Sequence, residues 1–185
     1  DLVVACFDEH TLEPLEAVAE IDTFARRRPD RREIVEAFHL AYNACELAGK
    51  KKPAADKIEQ SKKAQALAAK RMLEEAEKFA ADEKHKDEAD LVQILGQAYF
   101  ANERYAEAEK AWSRMDELPT APSTMKKFET LMWRADLSAT KLNDRQKALD
   151  LFRRADELTA KLDTKADDEW GGYVRKRIKE LEEKR

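Results

Sequence analysis

Residues 91–115 read LVQILGQAYFANERYAEAEKAWSRM. Leu95, Ala98 and Tyr99 fall on one face at helical spacing. Asn102-Glu103-Arg104 contains no apolar residue and reads as a tight turn. Tyr105, Ala108, Ala111, Trp112 and Met115 then restart an apolar stripe with a helical period. The stretch predicts two short amphipathic helices that face each other across the turn. Gly96, with no side chain, and Ala108, with only a methyl group, let the two backbones come close. The neighbouring tyrosines and Trp112 fill the groove beside that contact.

The rest of the chain extends this pattern in both directions. Downstream, Pro119-Thr120-Ala121-Pro122-Ser123 is the clearest loop, and Ser123 is placed to cap a helix. That helix carries Leu131, Met132, Ala135, Ala139 and Leu142 as its apolar positions. Asn143-Asp144 reads as a turn, and a helix over 145–162 follows, buried through Ala148, Leu151, Phe152, Ala155 and Leu158. The pair Ala148 and Phe152 repeats the spacing of Ala108 and Trp112, about 40 residues further on. A last helix over 167–184 carries Trp170, Tyr173, Val174, Ile178 and Leu181 on one side, with a strongly charged opposite face. Upstream, Thr11 and Pro14 begin a helix through Leu15, Val18 and Ile21 that ends at Pro29. Asp30 can cap a second helix over 31–48, with Ile34, Val35, Phe38, Ala41, Tyr42 and Cys45 inward. A third, from Pro53 to about Ala81, buries Ile58, Leu67, Ala68, Met72, Leu73, Ala76 and Phe79. Much of that side is alanine, so a neighbour must approach closely.

Composition agrees with an all-α chain. Charged residues make up 40% of the 185 positions, and only 4 Gly and 5 Pro interrupt them, which suits long helices with solvated outer faces. The net charge of −4 is a small difference between 39 acids and 35 bases and points to no particular partner. No run approaches the roughly 18 apolar residues of a membrane span, so a soluble protein is expected. The chain begins with Asp1 rather than Met, as expected of a processed or trimmed chain. Val3-Val4-Ala5-Cys6 has the shape of a lipidation box, but nothing basic precedes it, and packing of Leu2, Val3, Val4 and Phe7 on neighbouring helices is the preferred reading. Cys6 and Cys45 permit one bridge, yet a sparse pair in a helical chain usually means two buried thiols. The cysteines leave cytoplasm and a secreted or periplasmic compartment equally open.

Leu95, Gly96, Tyr99, Tyr105, Ala108 and Trp112, with Pro119 shortly after, resemble a tetratricopeptide repeat. Val92 stands where that family usually has Trp, and Pro119 comes about one residue early. The step of about 40 residues to the second copy exceeds the roughly 34 of the standard unit, the excess being the proline loop. In that copy Ala135-Asp136 replaces Leu-Gly. The resemblance implies a single all-α repeat domain over 1–185. Its best repeat is 88–118, its second 123–162, with an irregular one over 31–81 and a capping helix over 167–184. It implies antiparallel helix pairs stacked as a right-handed superhelix whose concave groove binds a peptide segment or partner helix.

Groove positions implied for the first helix of each repeat are Asp90, Gln93, Gln97 and Phe100, then Thr130, Trp133, Arg134 and Leu137. Trp133 lies off the stripe of Leu131, Met132 and Ala135, so it can offer an apolar face to a partner or pack under the last helix as core. Arg134 beside it can hold a carboxylate. Some family members grip a partner's C-terminal carboxylate with Lys and Asn. Of Gln93, Gln97, Thr130 and Arg134, which stand at the matching places, only Arg134 suits that role.

Other chemistry is disfavoured. His10, His39 and His85 lie on separate segments without a paired ligand motif, so no metal is expected. No phosphate loop or nucleophile motif is present, so neither catalysis nor a cofactor is expected. Arg26, Arg27, Arg28, Arg31 and Arg32 at one corner, and Lys50 to Lys52, could meet nucleic-acid phosphates. Both clusters sit at helix ends, where bases favour the terminal carbonyls, and neither has an aromatic platform. The expected partner is therefore another protein. The alternative is self-assembly as a homo-oligomer through the Ala68, Met72 and Phe79 side of the long helix.

Overall fold

The structure is a computed structural model that describes residues 13–50, 55–162 and 170–183. The apolar start, Cys6, His10, Thr11, Lys51 to Pro53 and the expected start of the last helix lie outside the described residues. Those described form eight α-helices and no strand, so the all-α expectation holds. They are α1 (Pro14–Arg27), α2 (Glu33–Lys50), α3 (Ala55–Ala80), α4 (Ala89–Ala101), α5 (Tyr105–Ser113), α6 (Thr124–Thr140), α7 (Arg145–Thr159) and α8 (Gly172–Glu183). No described helix is long and apolar enough to cross a membrane.

Local sequence fixes the ends of these helices. Pro14 opens α1, and Glu13 forms a reciprocal capping box with Glu16. Ser123 caps α6 by accepting from the Lys126 amide, and Asp144 caps α7 by accepting from the Lys147 amide. The turn at 102–104 closes α4. The Arg104 amide donates to the Tyr99 carbonyl at 2.9 Å and the Glu103 amide to the Phe100 carbonyl at 3.0 Å. This pairing needs a left-handed residue between them. Glu103 takes that conformation, with φ 59°.

The chain divides into two compact units. The first holds α1, α2, α3 and the later part of α4, Ile94–Arg104. Its core joins Val18 and Ile21 of α1, Ile34, Val35 and Phe38 of α2, and Ala64, Ala68 and Met72 of α3. The alanine face of α3 is thus covered by the chain's own helices. Leu15 and Leu67 were expected inside but are 36% and 40% exposed; Leu15 lies in the first turn of α1, and Leu67 is one position off the buried Ala68. Arg71 on α3 pairs with Asp22 of α1 at 2.6 Å and lies over the Phe38 ring of α2 at 5.6 Å. One side chain thereby ties all three helices. Asn102 also donates to the Ala69 carbonyl at 2.9 Å, joining the end of α4 to α3.

The second unit holds Asp87–Gln93, α5, α6, α7 and α8. Phe128, Leu131, Ala135, Ala148, Phe152 and Ala155 make the α6–α7 hairpin core, closed by Val174 and Leu181 of α8. Ala148 and Phe152 are 0% exposed, and Ala108 and Trp112 are 0% and 2%. Both expected alanine–aromatic pairs are therefore buried. Burial of a phenylalanine of this kind contributes roughly 1.5–3 kcal/mol. Arg145 donates to the Leu181 carbonyl at 2.6 Å and to the Glu182 carbonyl at 3.3 Å. It supplies donors to the open end of α8, where a cation is favoured.

Candidate functional site

One face of α6 carries Met125, Glu129, Met132, Trp133 and Asp136 at helical spacing. Tyr173 of α8 and Trp170, in the π-helical turn that leads into it, stand across from that face. Between them lies a groove of about 300 Å³, the lower end of the range for ligand sites. Phe128 meets Trp170 edge to face, with centroids 6.4 Å apart. Met125, Trp170 and Tyr173 are 38%, 46% and 39% exposed, so three large apolar residues share one open patch. Trp133 is half-buried there, its ring 5.7 Å from that of Trp112.

Asp136 holds the groove together. It accepts from the Tyr173 hydroxyl at 3.1 Å and pairs with Arg177 at 3.2 Å, fastening α8 to α6. Burial raises the Tyr173 hydroxyl above its ordinary pKa, and the Asp136 charge raises it further. The phenol therefore stays protonated and keeps donating. Arg177 lies over the Phe152 ring at 5.7 Å and also pairs with Glu180 at 2.8 Å. On the α6 side, the Gln93 amide donates to Glu129 at 3.1 Å, and the Gln93 backbone carbonyl accepts from the Trp112 indole at 3.0 Å. Gln93, Trp112, Glu129 and Trp133 thus form one cluster.

The residues expected to line a groove are distributed differently. Gln93 and Trp133 come together in the second unit. Gln97, half-buried, and Phe100, 38% exposed, belong to the first unit. Asp90 is exposed and pairs with Lys126. Thr130 and Leu137 are each 1% exposed, and Thr130 spends its hydroxyl on the Lys126 carbonyl at 2.8 Å. Arg134 is buried and finds its carboxylates within the chain. It donates to Glu109 at 3.0 and 3.2 Å and to Asp116 at 2.9 Å. Lys147 adds a contact to Glu109 at 2.8 Å, and Arg154 one to Asp116 at 2.8 Å. Burial alone would lower the Arg134 pKa, but the Glu109 and Asp116 hydrogen bonds and charges outweigh it and raise it. Burial likewise pushes Asp116 up, and the hydrogen bonds and charges of Arg134 and Arg154 bring it below its ordinary value.

Sequence reasoning missed Glu129 and Met125, and it placed Trp170 and Tyr173 on the buried side of the last helix. A signal for the first two was present: both lie on the same α6 stripe as Trp133. Elsewhere, Arg26 pairs with Asp22 and Arg32 with Glu36, each one turn away. Two of the five corner arginines are thereby tied to carboxylates. Among the described residues no group of three or more His, Cys, Asp or Glu is placed to hold a metal. Comparison with family models, curated proteins and solved structures gave no match.

Proposed function

We propose that the chain is a non-catalytic protein-interaction module of tetratricopeptide-like construction, and that the aromatic groove between α6 and α8 is its docking surface. The observation that carries this reading is the aromatic patch of exposed Trp170 and Tyr173 beside half-buried Trp133, on a buttressed frame. Large aromatics contribute strongly to recognition because they bury much apolar area with few rotatable bonds. Asp136 and Arg177 fasten α8 to α6, and the Gln93 contact fixes Glu129, so little ordering is left for the binding step. The two buried alanine–aromatic pairs, Ala108 with Trp112 and Ala148 with Phe152, support the repeat reading. In that reading helix pairs stack as a right-handed superhelix and α8 is the cap.

The test compares wild type with Trp133→Glu for capture of a partner from a lysate of the source organism, with circular dichroism confirming that both are folded. The proposal predicts a protein retained by wild type alone. Equal retention by both would refute the groove. Self-assembly is the second reading. The alanine face of α3 is occupied within the first unit, but Leu40 and Leu47 are 44% and 59% exposed on one face of α2. Light scattering at high concentration decides it: a monomer excludes assembly through that face, and a dimer lost in Leu47→Lys supports it.

A further inference from the structure

The groove has a charge as well as an apolar lining. Among the described residues its carboxyl groups are Glu129 and Asp136, and no Lys, Arg or His lines it. The two acids differ in their surroundings. Asp136 is already neutralised by Arg177 and also holds the Tyr173 hydroxyl. Glu129 has one neutral contact, the Gln93 amide at 3.1 Å on its Oε2. Among the described residues no cation pairs with it, and these residues give the groove one uncompensated negative charge beside aromatic walls.

That combination selects its occupant. The faces of indole and phenol rings attract a cation, most strongly where the site is partly dry. The methionines Met125 and Met132 offer apolar surface along which a hydrocarbon stem can lie. Oε2 of Glu129 already accepts from Gln93, which leaves Oε1 as its wholly free oxygen. A compact ammonium needs only one. We propose that the groove receives a lysine side chain of a partner protein, its stem along the methionines and aromatic rings and its ammonium on Glu129. This rests on the reading of the groove as the docking surface and names what that surface recognises.

The probes are three capped pentapeptides that differ only in the central residue: lysine, Nε-acetyl-lysine or norleucine. The readout is the indole N–H signals of Trp133 and Trp170 in a nitrogen–proton correlation spectrum of the whole chain. The lysine peptide should move both signals saturably. Acetylation or norleucine should weaken the affinity by about tenfold or more, the order expected for losing a charge-assisted contact and a cation over an aromatic ring. Glu129→Gln, nearly isosteric on a half-buried position, should lower affinity for the lysine peptide by a similar factor of about ten and abolish the preference for lysine over norleucine. Three peptides that bind equally would overturn the lysine assignment while leaving the groove as a docking surface. Lysine binding unchanged in Glu129→Gln would overturn it as well. No saturable shift with the lysine peptide up to low-millimolar concentration would also overturn it, and partner capture would then judge the groove alone.

Discussion

Arg134→Met tests the least expected feature of the second unit. The Arg134 and Glu109 side chains are 8% and 10% exposed, so their attraction is barely screened. Removing one partner of a buried ion pair costs about 3–5 kcal/mol, because the other charge stays behind without compensation. Here Lys147 remains 2.8 Å from Glu109, which places the effect near the lower limit. Asp116 loses Arg134 but keeps Arg154, and at 42% exposure it adds no more than about 1 kcal/mol. Methionine refills most of the volume. The expected destabilisation is about 3 kcal/mol, or roughly 6–12 °C in melting temperature for a chain of this size. Urea unfolding followed by circular dichroism measures it, with Glu109→Gln and the double variant completing a cycle. The double variant should be less destabilised than the sum of the singles by about 1–3 kcal/mol. An Arg134→Met protein within about 1 kcal/mol of wild type, or singles that simply add, would show that the pair behaves as a surface contact and refute the reasoning.

Three further outcomes follow from the geometry. Burial holds the His39 imidazole below its ordinary pKa of 6.5, and Asn43 lies 3.0 Å from its Nε2. The unfolded chain therefore takes up the proton first, so stability is lost as pH falls through 6.5 toward the folded value, and His39→Gln should flatten the urea midpoint over that window. Burial pushes the Cys45 thiol up to about 11, so in a Cys6→Ser chain a disulfide reagent should react at neutral pH only as fast as the protein opens. Fast labelling of the folded chain would contradict this. Glu103 sits at φ 59°, a conformation that disfavours any residue with a β-carbon, so Glu103→Gly should raise the urea stability by roughly 0.5–1 kcal/mol.

The helices were legible because their signals are local. Apolar spacing, Pro14, Ser123 and the polar turn at 102–104 each act within a turn or two of chain. Arg134 was read as a groove residue for a partner's carboxylate, because its actual partner Glu109 lies 25 residues away in the chain. Trp170 was misplaced because it precedes the regular helix that begins at Gly172, and Tyr173 because it lies one position off the inward stripe of Val174, Ile178 and Leu181. The apolar pattern that marks burial equally marks a surface awaiting a partner, and the sequence alone cannot separate the two. The Asp136 contacts to Tyr173 and Arg177 that distinguish them span 37 and 41 residues.

The measurement that tests the docking groove most directly is amide hydrogen exchange on the chain with and without its captured partner. The account predicts slowed exchange at residues 125–136 and 170–177, with α1 and α2 of the first unit unchanged. Protection confined to α1 and α2, with the α6 and α8 segments exchanging as in the free chain, would contradict it.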